Sequence, residues 1–192
     1  MASDHAGLDL KLEIAAVLRS QGHEIVDFGT NSSDPADLPD HVYPASLAVS
    51  NGEVERGIFV DGVGYGSAMI ANKVPGIFAA VCQDSFCAEL ARSHSDTNVL
   101  CLGGKIIGSA IALEIVKTWM TTEWLGASEE KYARRVAERV GDGATAILAR
   151  PGLPDSRVAL PRRDLAELLA EELRRLDPDE VYGDVITHVE FA

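Results

Sequence analysis

Apolar positions along this chain recur in blocks that alternate between helical spacing and short continuous runs. Over residues 8–21, Leu8, Leu12, Ile14, Ala15 and Leu18 fall close to helical spacing and the pattern stops at Gly22, which predicts a first helix. Residues 24–27 read as a short strand ending in Phe28-Gly29, residues 30–41, rich in Ser, Asp and Pro, as a loop, and residues 43–51 as a second helix. Gly57-Ile58-Phe59-Val60-Asp61 is a short apolar run, as expected of a parallel strand covered on both faces. A helix opening over 67–73, a strand at 77–81, a helix through Ser93, a strand at 99–102 and a long helix over 106–122 continue the alternation. Strand, glycine-rich turn, helix, strand predicts an α/β fold: a Rossmann-like, doubly wound parallel sheet with helices on both faces.

Such a sheet calls for a strand ahead of Asp4, where only Met1-Ala2-Ser3 stand. Either that strand is very short or the true start lies upstream. At the other end the pattern breaks over 149–159, where two prolines and a glycine interrupt it. This divides the chain into an α/β domain over 1–148 and a C-terminal extension over 149–192. The extension reads as a linker, an amphipathic helix over 161–177 with Leu165, Leu168, Leu169, Leu173 and Leu176 on one side, and an extended tail over 181–191. Its leucine stripe is expected to pack on the main domain or on a partner subunit.

Composition narrows the partners more than it names them. A formal charge of -13 over 192 residues argues against nonspecific binding to nucleic acid or to an anionic membrane. It leaves room for a phosphorylated substrate, since a few basic side chains in a pocket outweigh the global field. Cys82, Cys87 and Cys101 form no CxxC pair and no metal-ligand spacing, and together with the absence of a basic leader or a long apolar run they predict a cytoplasmic protein with reduced thiols. No metal or cofactor is implied.

The strongest local signal is Asp61-Gly62-Val63-Gly64-Tyr65-Gly66-Ser67, directly after a predicted strand. Glycine at alternate positions lets a backbone curl with several N–H groups facing inward, and the loop runs into a helix start at the sheet edge where ligands bind. The plain alternative is a tight strand–helix turn that holds nothing, since short glycine patterns are weak evidence. The glycine spacing does not fit a dinucleotide fingerprint, and the Gly-Lys-Ser/Thr of a P-loop is missing. Asp4-His5-Ala6-Gly7, His94 with Asp96, and Gly103-Gly104-Lys105 flank other predicted strands and are expected to converge on the same edge.

These segments resemble the ribose-5-phosphate isomerase B family, which includes galactose-6-phosphate isomerase subunits. The resemblance rests on Ser3-Asp4-His5-Ala6-Gly7 with Lys11, Tyr43-Pro44, residues 57–73 ending in Ile70-Ala71-Asn72-Lys73, Pro75-Gly76-Ile77-Phe78-Ala79-Ala80, Ala91-Arg92-Ser93-His94 and residues 98–104. It covers about residues 1–140, in the family's order and spacing. It implies metal-independent aldose–ketose isomerisation of a sugar phosphate through a cis-enediolate, with ribose 5-phosphate and ribulose 5-phosphate as the default pair. Tetrose, allose or galactose phosphates fit the same chemistry. It further implies that Asp4 and His94 help open the sugar ring and that His5, Tyr43, Gly62, Gly64, Gly66 and Asn72 line the substrate. Backbone N–H groups of the glycine loop would hold the developing oxyanion. A homodimer or homotetramer with sites shared between protomers is expected.

The sequence departs from the family pattern at the base. Where the family often has cysteine stands Asp61; where another branch has glutamate stands Ser67; a neighbouring Ser/Thr is Val63. One reading makes Asp61 the base, its pKa raised by Ile58, Val60 and Val63, with Ser67 as its catalytic neighbour. The others make Asp61 a ligand of a substrate hydroxyl, or the protein an inactive homologue that only binds sugar phosphates. At the phosphate end, Lys105, Lys131 and Arg135 keep the positive charge, and Lys105 gives up the bidentate geometry of the arginine it replaces.

Overall fold

The side chains of two central strands alternate between two cores and so set the architecture. In the computed structural model, which describes residues 1–140, β2 (Gly57–Asp61) and β4 (Val99–Gly103) are buried along their whole length and pair in parallel. Ile58, Val60, Leu100 and Leu102 face one layer, where they meet Leu10, Ile14 and Leu18 of α1 (Leu8–Ser20), Ala88 of α4 (Ser85–Ser93) and Ile115 and Trp119 of α5 (Ser109–Thr121). Phe59, Val99 and Cys101 face the other, against Val42, Ala45 and Val49 of α2 (Leu38–Ser50) and Ala68 and Ala71 of α3 (Tyr65–Ala71). With β1 (Ala2–Ser3) and β3 (Ala79–Val81) the sheet has the order β1-β2-β4-β3, all strands parallel. This is the doubly wound sheet that the alternation predicts. The strand ahead of Asp4 is two residues long.

Residues 24–27 do not form the expected strand. The segment runs beside β1, accepting from the Met1 amine at Val26 O and donating from Phe28 N to Met1 O at 2.8 Å. The Asp27 carboxylate then accepts the Gly29 N–H at 2.9 Å and turns the chain out of the ladder. Lys11, fully buried, holds the turn in place through Asp27 Oδ2 and Thr30 O, each at 2.8 Å. Helix α2 starts earlier than the sequence reading places it, because Pro39 sits in the first turn, where its missing N–H costs nothing. Pro44, near the start of the range that the sequence reading gives, lies inside the helix. Helix α3 also starts earlier, at Tyr65, and α5 later, after Gly108.

The chain divides into two units, Met1–Tyr132 and Ala133–Ala192; the sheet and both its edges belong to the first. The last described helix, α6 (Glu130–Val140), begins at the end of that unit. The expected boundary at 148, the linker, the leucine-striped helix and the tail lie outside the described residues. Among the described residues no helix is long and apolar enough to cross a membrane.

Candidate active site

In an all-parallel sheet, residues that follow strands gather at one edge and residues that precede strands gather at the other. The edge after the strands carries Asp4-His5-Ala6-Gly7 behind β1, Asp61–Gly66 behind β2, and Gly104-Lys105 behind β4. The loops behind β2 and β4 are bonded to each other, and the loop behind β1 lies close against them. Gly104 N–H donates to Asp61 O at 2.7 Å, and Lys105 N–H to Gly62 O at 2.9 Å. A Cβ at Gly7 would stand 2.1 Å from Val60 O, so only glycine lets the first loop lie this close to β2. Asp4 Oδ1 accepts the N–H groups of Ala6 (2.9 Å) and Gly7 (3.1 Å), and no described residue bonds its Oδ2. His5 Nδ1 accepts the Ala36 N–H at 3.2 Å, which ties the loop ahead of α2 to the same edge. Tyr43 stands half-exposed on α2, whose Leu38 side chain packs close to Gly66.

Asp61 is buried, and its carboxylate is saturated. Oδ1 accepts the N–H groups of Val63 (2.8 Å) and Gly64 (2.5 Å); Oδ2 accepts the Ser67 N–H and the Ser67 hydroxyl, both at 2.7 Å. Gly64, at φ 86°, supplies the left-handed residue that bends this loop into α3. Burial pushes the Asp61 carboxyl upward, but the bonds from Ser67, Val63 and Gly64 outweigh it and hold the group below its ordinary value. The expectation that apolar neighbours raise this pKa is therefore reversed. The cause is local: the glycine loop turns its N–H groups onto Asp61, so three of the amides expected to cradle an oxyanion already hold the protein's own anion. Ser67 is fully buried and serves Asp61 in the same way.

The remaining candidates stand at the opposite edge. His94 caps the end of α4 ahead of β4, and its ring stacks on Tyr132 at 4.4 Å and 17°. Lys131 lies over the same Tyr132 ring at 4.6 Å and pairs with Glu129 at 2.6 Å. Arg92 and Asp96, which flank His94, pair with each other at 2.9 Å, and Arg92 also donates to Thr97 O and covers Trp119. Asn72 spends both ends of its amide on the Ala79 backbone, at 3.0 and 2.9 Å, and so pins the start of β3. Ala79 is level with Val99, whereas Asp61 is level with Gly103. Four strand residues, roughly 13 Å, separate the two levels. The convergence of all candidates on one edge is thus corrected: a single protomer brings Asp4, His5, Asp61, Ser67, Gly62, Gly64, Gly66 and Lys105 together and leaves His94, Asn72 and Lys131 at the far edge. Arg135, exposed on α6, belongs to the second unit. Tyr132 was not among the candidates; its signal was its place inside the basic segment 131–135.

A cavity of about 350 Å³ opens at the far edge, lined by Met1, Ile25, Val26, Val54, Arg56 and Met120 among others, and holds none of the candidate residues. Among the described residues no cluster of His, Cys, Asp and Glu is placed to hold a metal ion.

The family model described as Ribose/Galactose Isomerase matches residues 1–139, a span that includes both edges of the sheet. The chain belongs to this family. The ribose-5-phosphate isomerase B of Escherichia coli (strain K12) is 41% identical over 133 residues, which cover 69% of this chain and 89% of that protein. The D-erythrulose-4-phosphate isomerase of Pectobacterium atrosepticum is 32% identical over 137 residues, covering 71% and 90%. Among solved structures, ribose-5-phosphate isomerase B of Clostridium thermocellum superposes with a TM-score of 0.69 at 43% identity, over 72% of this chain and 92% of that one. As a member of the ribose/galactose isomerase family, the protein is a sugar-phosphate isomerase that interconverts aldose and ketose forms. A second model, for the C-terminal domain of a glucose-6-phosphate dehydrogenase subunit, matches residues 115–186, mostly beyond the described residues.

Proposed function

We propose that the protein interconverts ribose 5-phosphate and ribulose 5-phosphate through a cis-enediolate, without a metal, in the cytoplasm. The observation that carries this reading is the bonded edge itself. Asp61 and Lys105 are held together by the loop-to-loop bonds Gly104 N–H to Asp61 O and Lys105 N–H to Gly62 O, and the pairing of Ser3 with Val60 sets Asp4 beside them. A carboxylate for proton transfer and a cation for an anionic substrate thereby stand on a rigid frame. The 41% identity to an Escherichia coli ribose-5-phosphate isomerase B supports the five-carbon substrate. A four-carbon phosphate is the second reading, supported by the relative that acts on D-erythrulose 4-phosphate and by the changed residues at Asp61 and Val63. The three cysteines, all free thiols, suit a reducing compartment.

The site is completed by a second copy of the chain, forming a homodimer or homotetramer. His94 and Lys131 cannot reach Asp4 in their own protomer across a strand's length, but they can approach the other edge of a neighbour. Tyr43 and Leu47 on α2 with Tyr65 and Met69 on α3 present an exposed apolar surface suited to such a contact. Purified protein with a chelator present is to be tested on ribose 5-phosphate, ribulose 5-phosphate, erythrulose 4-phosphate, allose 6-phosphate and galactose 6-phosphate. Ribose 5-phosphate turnover that the chelator does not reduce is the expected result. Turnover of erythrulose 4-phosphate alone transfers the assignment to the four-carbon pair, and folded protein that binds the panel without converting any member overturns the assignment as an isomerase.

A further inference from the structure

Enediolate chemistry requires one basic atom whose lone pair is open to the substrate, and the groups at the bonded edge can be taken in turn. Both Asp61 oxygens are spent on the N–H groups of Val63, Gly64 and Ser67 and on the Ser67 hydroxyl. A proton placed on either oxygen would face those donors. Ser67 Oγ spends its hydrogen on Asp61. His5 accepts a backbone N–H at Nδ1, so its neutral ring carries the hydrogen at Nε2. Cys101 is buried in the core between sheet and helices, and burial pushes the Cys82 thiol up to about 12. Asp4 Oδ2 remains. Its partner oxygen, Oδ1, is fixed by the Ala6 and Gly7 N–H groups, while Oδ2 has no partner among the described residues. Asp4 also stands beside Asp61, because Ser3 pairs with Val60 and each aspartate is the next residue along its chain.

We propose that Asp4, through Oδ2, is the group that carries the proton between C2 and C1 of the open-chain sugar phosphate, and that Asp61 anchors the glycine loop beside it. The inference rests on the isomerase reading above. Asp4 takes the proton from C2 of the aldose; the C–H pair becomes the C1=C2 bond and the carbonyl π pair moves to O1. Asp4 then returns its proton to C1, the O2 proton passes to O1, and the C2 carbonyl of the ketose forms, so that nothing is gained or lost. Ring opening then falls to groups other than Asp4, His94 of a second copy among them.

Ketose phosphates whose ring-closing hydroxyl is esterified exist only as open chains, which separates proton transfer from ring opening. Ribulose 5-phosphate and erythrulose 4-phosphate are incubated in D2O with the full-length protein, and deuterium entering C1 is followed by NMR. Asp4→Asn keeps an acceptor for Ala6 and Gly7; it is expected to lose C1 exchange and isomerisation together, by about 10³-fold. Should Asp4→Asn not fold by circular dichroism, Asp4→Ser, whose hydroxyl accepts the same amides, takes its place. Asp61→Asn is expected to lower both rates by no more than about tenfold. Exchange at the wild-type rate in the Asp4 variant, with only aldose consumption lost, overturns the proposal and leaves Asp4 as a ring-opening residue. Loss of exchange in a folded Asp61→Asn protein that still binds ribulose 5-phosphate likewise overturns it, making Asp61 the base. Failure of the wild-type protein itself on both ketoses and on the substrate panel would instead overturn the isomerase reading.

Discussion

A carboxylate that receives four hydrogen bonds inside a strand–helix turn makes the turn depend on pH. Because the folded protein holds Asp61 below its ordinary value of 3.8, the group's contribution to stability is complete above the unfolded-state value and is lost as pH falls through the folded one. Thermal melts between pH 7 and pH 3 check this: the wild-type midpoint should fall more steeply below about pH 4 than that of Asp61→Asn. At pH 7 the variant should be less stable by about 2–3 kcal/mol, since it cannot accept at both oxygens. Equal slopes for the two proteins would mean that Asp61 is not the titrating anchor. Sequence showed an aspartate at this place but not its environment, because the donors are backbone amides whose direction depends on the φ of Gly64. Lys11 was hidden for a similar reason. Helical periodicity gives no cause to bury a lysine, and the acceptors that allow it, Asp27 and Thr30, lie 16 and 19 residues away.

At the scale of elements, close contact between the β1 loop and β2 decides whether the edge assembles. Gly7 lets the chain pass over Val60 O, where a Cβ would stand 2.1 Å from the oxygen and 2.5 Å from its carbonyl carbon. Both are backbone atoms of a buried strand and cannot move aside as a flexible side chain would. Gly7→Ala should cost more than about 3 kcal/mol, measured by urea unfolding, with isomerase activity lost in parallel because Asp4 is displaced with its turn. Elements themselves were legible wherever burial alone shaped them: Gly57–Asp61 appears with the bounds that its apolar run gives, α1 does so to within a residue, and α4 ends at Ser93 as expected. Residues 24–27 were not, because that segment has strand-like composition but only intermittent bonds to β1, and the Asp27 turn that interrupts them depends on tertiary contacts.

Over the whole molecule, the placement of candidates at two edges of one sheet turns a question about residues into one about copies. Sequence brought His94 and Asp61 into one group because both flank strands; the parallel pairing of β2 and β4 is what puts a residue ahead of β4 and a residue ending β2 at opposite edges. If each complete site takes Asp4 from one protomer and His94 from its neighbour, two variants that are inactive alone should rescue each other. Asp4→Asn spoils one edge and His94→Asn the other, and Asp4 is needed for an aldose substrate whether it opens the ring or moves the proton. In a two-fold dimer made by refolding equal amounts together, half the molecules are mixed, and in each of those one site has both edges intact while the other has neither. Ribose 5-phosphate isomerisation should then return to roughly a quarter of the wild-type rate. Separate solutions of each variant supply the baseline, and native mass spectrometry of tagged chains confirms that mixed dimers have formed. Mixed dimers without recovered activity would mean that each protomer works with the residues of one edge alone, and that His94 and its Tyr132 stack serve the fold rather than the chemistry.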